Sequence, residues 1–375
     1  MSAHGPSFRP AFFLTPHGWP YLLLPFIPIA LALELAHSSA ALIFFAAALG
    51  IVPTAALMGR ATEELAARSG PGIGGLLNVT FGNAPELIIA LFALKEGLHE
   101  VVKASLIGSI LGNILLVLGA AMLVGGFGRR FQEFNPQAAG FQSSMLFLAA
   151  AALVMPAIYE LVEGRGLPGA SAERLVYDVT VEHLSLAVAC VLIATYVAGL
   201  FFSLRTHADI FNPPYEEDED TWGWSPRRSV AMLAVAGVAV GVMSEVLVGS
   251  IGEASESIGL SEFFIGVIVV AIVGNAAEHW VAVLVARKDK MDLAVNISIG
   301  SSAQIALFVA PVLVLASFVL GPGPMPLVFN GFELGAVLIA VLIANSVTAE
   351  GRSTWFEGLQ LLAVYVVLGI TFFVA

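Results

Sequence analysis

Gly82-Asn83-Ala84-Pro85-Glu86 and Gly274-Asn275-Ala276-Ala277-Glu278 are near-copies of one string, 192 positions apart, each set in an apolar run long enough to cross a bilayer. A carboxylate at bilayer depth is expensive and by default marks an ion or proton pathway. Matching carboxylates in two halves of a chain point to a site at the interface of a duplicated transporter. These two strings therefore decide both the fold class and the function class.

Composition agrees. Of 375 residues, 58% are hydrophobic and 12% charged, about half the charged fraction of a soluble domain. The charges cluster between apolar runs, which specifies an all-α polytopic membrane protein; the ten-residue alternation of a barrel is absent. No basic patch supports nucleic-acid binding, and the single Cys190 excludes an intrachain disulfide. The first apolar run, 19–36, reads as a retained helix and not a cleaved signal.

A membrane helix needs about 20 mostly apolar residues. Eleven segments qualify: 19–36, 40–66, 73–96, 101–126, 137–158, 179–204, 228–250, 262–286, 291–320, 331–349 and 354–375. With a cytoplasmic N-terminus, twelve basic residues, from Arg9 and Arg60 through Arg287 to Arg352, fall on the cytoplasmic side. Lys95, Lys103, Arg165 and Arg174 fall on the other. This is the bias of the positive-inside rule, and it puts the C-terminus outside.

The repeat extends beyond the motifs. Gly108-Ser109 matches Gly300-Ser301 at the same offset, and Gly140-Phe141-Gln142 matches Gly331-Phe332-Glu333. Glu182-His183-Leu184 resembles Glu357-Gly358-Leu359 once a longer loop at 159–178 is allowed in the first half. The expected organisation is a tail with an extra helix (1–39), a five-helix repeat (40–204), an acidic linker (205–227) and a second five-helix repeat (228–375). An odd number of crossings makes the second unit an inverted copy of the first. The acidic run Glu216-Glu217-Asp218-Glu219-Asp220 reads as a solvated linker or a cytoplasmic cation collector; it lacks EF-hand spacing.

Pro85 has no N–H, so the carbonyl of Phe81 loses its helical partner, and Gly82 loosens the backbone beside it. A freed carbonyl in a bilayer needs protein, water or an ion. Asn83 with Glu86, and Asn275 with Glu278 beside Gly274, add two amide oxygens and two carboxylates. Such an all-oxygen, doubly negative cage suits a hard cation such as Ca²⁺. Asn83 and Asn275 read alternatively as glue between helices. His279 is either a structural donor or a proton-handling neighbour of Glu278. Ser109, Asn113, Ser301, Ser302 and Gln304 are candidate polar partners, and Gly108-x-x-x-Gly112 a packing seam. Glu64 and Glu256 align across the repeat as rim, pathway or merely interfacial residues. Glu245 has no acidic counterpart and is a weaker candidate for proton movement.

Gly70-Pro71-Gly72-Ile73-Gly74-Gly75 satisfies a dinucleotide fingerprint, but no strand precedes it. Asn78-Val79-Thr80 and Asn296-Ile297-Ser298 spell glycosylation sequons at membrane depth. An intramembrane enzyme using Glu278 and His279 would need no second glutamate motif, and a passive channel would not couple to pH.

At Gly82-Asn83-Ala84-Pro85-Glu86-Leu87-Ile88, Gly274-Asn275-Ala276-Ala277-Glu278-His279, Ser298-Ile299-Gly300-Ser301-Ser302-Ala303-Gln304 and Glu350–Gly358 the chain resembles the Ca²⁺/H⁺ antiporters of the calcium/cation exchanger superfamily. The resemblance covers the chain from the second helix onward. It implies eleven helices, Ca²⁺ bound near Glu86 and Glu278, exchange for protons, no resident cofactor, and a prokaryotic inner-membrane location. A homo-oligomer is compatible with it. Some relatives move Na⁺ or K⁺, so a Na⁺- or K⁺-coupled exchanger is the alternative. Because an empty dianionic site is disfavoured, proton and metal would compete for the two glutamates in alternating access.

Overall fold

A computed structural model of the chain describes residues 12–15, 18–170, 173–207 and 222–375. Among them, nine helices are long and apolar enough to cross a membrane. They are the Ala40–Ser69 part of α2 (Ala40–Phe81), then α4 (His99–Gly126), α5 (Pro136–Val162), α6 (Val179–Thr206), α7 (Pro226–Ile258), α8 (Glu262–Arg287), α9 (Met291–Ser317), α10 (Gly331–Thr348) and α11 (Trp355–Val374). Two further helices, α1 (Phe26–Leu35) and α3 (Ala84–Lys95), are shorter. The acidic run 216–220 lies outside the described residues.

Two of the eleven expected spans thus depart from plan, both at prolines. The first apolar run becomes a 3₁₀ turn at Trp19–Leu23, with Pro20 near its start, followed by α1 with Pro25 as its N-cap. The whole stretch Trp19–Leu35 is short for a crossing. The third span is broken. α2 continues to Phe81, Gly82 keeps helical dihedrals, the chain leaves helical geometry at Asn83, and α3 begins at Ala84 with Pro85 in its first turn. A Cβ placed on Gly74 would lie 2.5 Å from the Ala66 carbonyl oxygen, whereas eight residues of straight helix separate by about 12 Å. The chain of α2 therefore bends sharply between Ala66 and Gly74.

The helix starts follow local rules. Asn135, Asp178, Ser225 and Ser261 cap α5, α6, α7 and α8 through side-chain oxygens, satisfying amides that would otherwise lack partners. α10 and α11 open with reciprocal capping boxes, Asn330 with Glu333 and Thr354 with Glu357. Those two glutamates, aligned in the repeat with Gln142 and Glu182, are helix caps. A two-residue antiparallel ladder, Gln132–Glu133 on Arg352–Ser353, joins the loops before α5 and α11.

One apolar core unites the bundle. α2 packs on α7 and α1, α8 on α2 and α4, α9 on α6, α10 on α5, and α11 on the C-terminal part of α4. The α4–α8 contact is close: a Cβ on Gly108 would lie 2.0 Å from the Val267 carbonyl oxygen. Only glycine permits that approach, and it brings the polar residues of α4 onto the second motif.

Candidate functional site

The two motifs meet reciprocally. The Cβ position of Gly274 lies 3.5 Å from Glu86 Oε1, and that of Gly82 lies 3.7 Å from Glu278 Oε1. Each carboxylate therefore rests against the glycine of the other motif. Neither side chain is fully enclosed, but Glu86 Oε2 is buried without a hydrogen-bond partner. At Gly82 a Cβ would also lie 2.7 Å from the Asn78 carbonyl oxygen, so that approach requires glycine.

The asparagines are held across the same interface. Asn83 Oδ1 accepts from Ser301 Oγ at 2.7 Å, and its Nδ2 donates to Gln304 Oε1 at 2.8 Å. Asn275 Nδ2 donates to Ser109 Oγ at 3.2 Å and to the Ala271 carbonyl at 3.0 Å. Its Oδ1, fully buried, has no protein partner. Asn83 and Asn275 correspond in the repeat, as do Ser109 and Ser301, so the two contacts are mirror versions of one another. His279 Nε2 lies 3.1 Å from Asn113 Oδ1, which uses one ring nitrogen in a contact between α8 and α4. Ser302 bonds the Ser298 carbonyl of its own helix and points no hydroxyl at the glutamates. Three π-helical stretches lie close by, Gly112–Val117, Ile265–Val270 and Asn296–Gly300; such wide turns recur at functional sites.

A cavity of about 430 Å³ reaches this region. Glu278, Gly82, Asn83, Gly274, Ser301 and Gln304 line its depth; Arg60, Glu63, Ser203, Leu204 and Trp222 line its mouth. Ser203 and Leu204 end α6, and Trp222 precedes α7, so the mouth opens at the end of the bundle where the linker attaches. Among the described residues, no three or more His, Cys, Asp or Glu side chains converge as metal ligands. A cation here would rest on two carboxylates, completed by amide, hydroxyl and carbonyl oxygens.

Three acidic candidates lie elsewhere. Glu64 is 2% exposed, pairs with Arg60 at 3.0 Å, and accepts from the backbone amides of Trp222 and Trp224. It anchors the chain entering α7 and does not face the cavity. Glu256 lines a second cavity at the opposite end with Glu100, Glu173 and Glu262. Glu245 is exposed on α7 and lines neither cavity. Of the four basic residues assigned to the opposite side, Lys103 is fully buried within α4 and paired with Glu100. Sequence reasoning overlooked Glu63, which lines the mouth beside Arg60 at 3.2 Å. The repeat alignment selected its neighbour Glu64, and a one-residue step turns a helical side chain by about 100°.

A bundle of apolar helices enclosing two crossed acidic motifs and a water-sized path to one end is the architecture of a membrane ion transporter. The chain belongs to the sodium/calcium exchanger protein family, which matches residues 39–205 and 228–374. It is 46% identical over 373 residues to a Ca²⁺/H⁺ antiporter of Synechocystis sp., covering 94% of this chain and 96% of that protein. It is 45% identical over 351 residues to the Ca²⁺/H⁺ antiporter ChaA of Bacillus subtilis, covering 92% and 96%. The solved structure of native YfkE superposes with a TM-score of 0.80 at 41% identity, covering 95% of this chain and all of that one. Membership in an exchanger family removes the intramembrane-enzyme reading of Glu278 and His279.

Proposed function

We propose that the protein exchanges Ca²⁺ for protons across a membrane, with Glu86 and Glu278 as the shared binding groups in an alternating-access cycle. The observation that carries this reading is the reciprocal seating of each glutamate against the other motif's glycine. The similarity to proteins named Ca²⁺/H⁺ antiporters supports the choice of ions. The two stretches of family similarity and the mirror-related asparagine contacts support two inverted five-helix units after an extra first helix, eleven crossings in all.

Two like charges held close together repel, the more so where the surroundings are poor in water. A bare dianionic pair is therefore a poor resting state. One Ca²⁺, or a proton on each carboxylate, neutralises it, so the ions compete for the same oxygens. Neutral cages pass between the two faces, whereas the empty charged one resists movement. At least two protons would return for each Ca²⁺. Asn83 and Asn275, with Phe81 and Gly82 supplying backbone oxygens and Gly274 leaving room for Glu86, complete the cage; Ser109, Ser301, Gln304 and the Asn113–His279 pair hold it in register. By the distribution of basic residues the cavity mouth faces the cytoplasm, the N-terminus lies inside and the C-terminus outside a prokaryotic inner membrane.

The test is ΔpH-driven ⁴⁵Ca²⁺ uptake into vesicles. Glu86→Gln and Glu278→Gln should each reduce uptake at least 100-fold at unchanged membrane expression; full activity in either variant refutes the shared site. A sodium or potassium gradient imposed at clamped pH should drive no uptake. Uptake under that gradient would make Na⁺ or K⁺ the coupling ion.

A further inference from the structure

The end of the bundle opposite the cavity mouth holds a buried charge. α6 runs from Val179 to Thr206, with its C-terminal residues at the mouth. Tyr177, just before its start, belongs to the far end. There Lys103 of α4 is 0% exposed. Its ammonium donates to Glu100 Oε1 at 2.7 Å and to the Val328 carbonyl at 2.7 Å, and reaches Tyr177 Oη at 3.4 Å. Val328 belongs to the connection between α9 and α10, of which Met325, Leu327, Val328 and Phe329 are all 1% exposed or less. The same connection is pinned to α6 where the Leu327 amide donates to Ser185 Oγ at 3.0 Å. A stretch from the second half of the chain is thus inserted into the first half and held by two polar contacts.

An ammonium buried within a membrane helix is a costly way to fasten a loop, since apolar packing of similar volume often holds at least as well. Its advantage lies in reversibility. When such a contact opens to water, hydration of the charge offsets the bonds that are lost. A lysine–carbonyl contact can therefore be closed and open at similar free energy, which an apolar seal exposed to water cannot. α4 also carries Ser109 and Asn113, which touch the second motif, so movement at Lys103 is mechanically connected to the site.

We propose that Lys103 and the Met325–Asn330 segment form the far-end gate of the exchanger: Lys103 releases the Val328 carbonyl when the site is presented to that side. This rests on the alternating-access reading above. The first test is a reversible clamp. In a Cys190→Ser background, Ser185→Cys with Leu327→Cys should form a disulfide on oxidation. Exchange should then fall at least 10-fold, Ca²⁺ binding should persist, and reductant should restore transport. Cross-linked protein exchanging at the uncross-linked rate overturns the gate, as does loss of binding together with exchange. The second test needs no transport. Val328→Cys, with Cys190→Ser, should react slowly with an impermeant maleimide from the far side. Adding Lys103→Met should accelerate it at least 5-fold, and Lys103→Arg should do so less. Equal rates in all three overturn the gate. If uncross-linked protein moves no Ca²⁺ under ΔpH, the exchange proposal fails while the labelling test stands.

Discussion

The two glutamate motifs share four of five residues and do not share a backbone. Around Gly82–Glu86 the chain leaves helical geometry at Asn83, between α2 and α3. Around Gly274–Glu278 it is continuous α-helix, and the irregularity is displaced upstream to the π-helical Ile265–Val270. Pro85 stands where the second copy has Ala277. Proline cannot donate to the carbonyl four residues before it, so the first motif leaves the Phe81 carbonyl without its helical donor, where the corresponding Val273 carbonyl of the second lies in unbroken helix. Two near-identical side-chain sets are delivered by different backbones, and the resulting site is chemically lopsided.

Exchanging that one residue between the copies gives the largest expected contrast. Ala277→Pro would remove a helical hydrogen bond from the unbroken copy, a penalty of about 3 kcal/mol or more. It should lower the thermal unfolding midpoint in detergent and abolish uptake. Pro85→Ala allows the break to close, and should leave the midpoint unchanged or raised while uptake falls roughly 10-fold through withdrawal of the Phe81 carbonyl. Equal effects from the two would mean that the break contributes nothing to ion binding.

The asparagines make a smaller contrast. Asn83→Ala strands both the Ser301 hydroxyl and the Gln304 carbonyl, at about 1–3 kcal/mol. Asn275→Ala frees the Ser109 hydroxyl and the Ala271 carbonyl, and also removes an Oδ1 that already lacks a protein partner, so its stability loss should be nearer the low end, about 1 kcal/mol. Stability by chemical denaturation, read alongside Ca²⁺ affinity, orders the two; an Asn275→Ala loss exceeding that of Asn83→Ala would reverse the comparison.

The smallest effect concerns a part the second half lacks, the longer loop before α6. Its Glu173 accepts from the Glu100 amide at 3.1 Å through both oxygens. Burial pushes its pKa up to about 7; the Glu100 amide opposes, the Glu100 charge reinforces, Lys103 opposes and Glu262 reinforces. Because the folded state holds this proton more tightly than the unfolded chain, its contribution to stability is full below the ordinary value of 4.5 and is lost as pH rises through about 7. Glu173→Gln should therefore reduce the decline in unfolding midpoint between pH 5 and 8. An unaltered pH profile would show that Glu173 is not the group responsible.

Much of this molecule is legible along the chain because lipid enforces simple rules. Apolar length gave eight of the nine long helices among the described residues within about four residues, and α7 except for its end, which runs on to Ile258 instead of 250, since a bilayer demands that backbone polar groups be satisfied within the protein. The spacing of Gly, Asn and Glu, read twice, singled out two strings that the fold packs against each other; Gly82, Asn83, Gly274 and Glu278 of them line the cavity, while Glu86 and Asn275 lie behind it. Pairings across the interface were not legible. Whether Asn83 meets Ser301, whether Glu63 or Glu64 faces the cavity, and that Lys103 lies inside the bundle all depend on the rotation of one helix against another. Rotation is set by the packing of many side chains at once, such as the glycine approach at Gly108, and no single segment encodes it. Local periodicity and composition thus determined the elements and their chemistry, while tertiary contact alone decided which oxygens face one another and where Lys103 is buried.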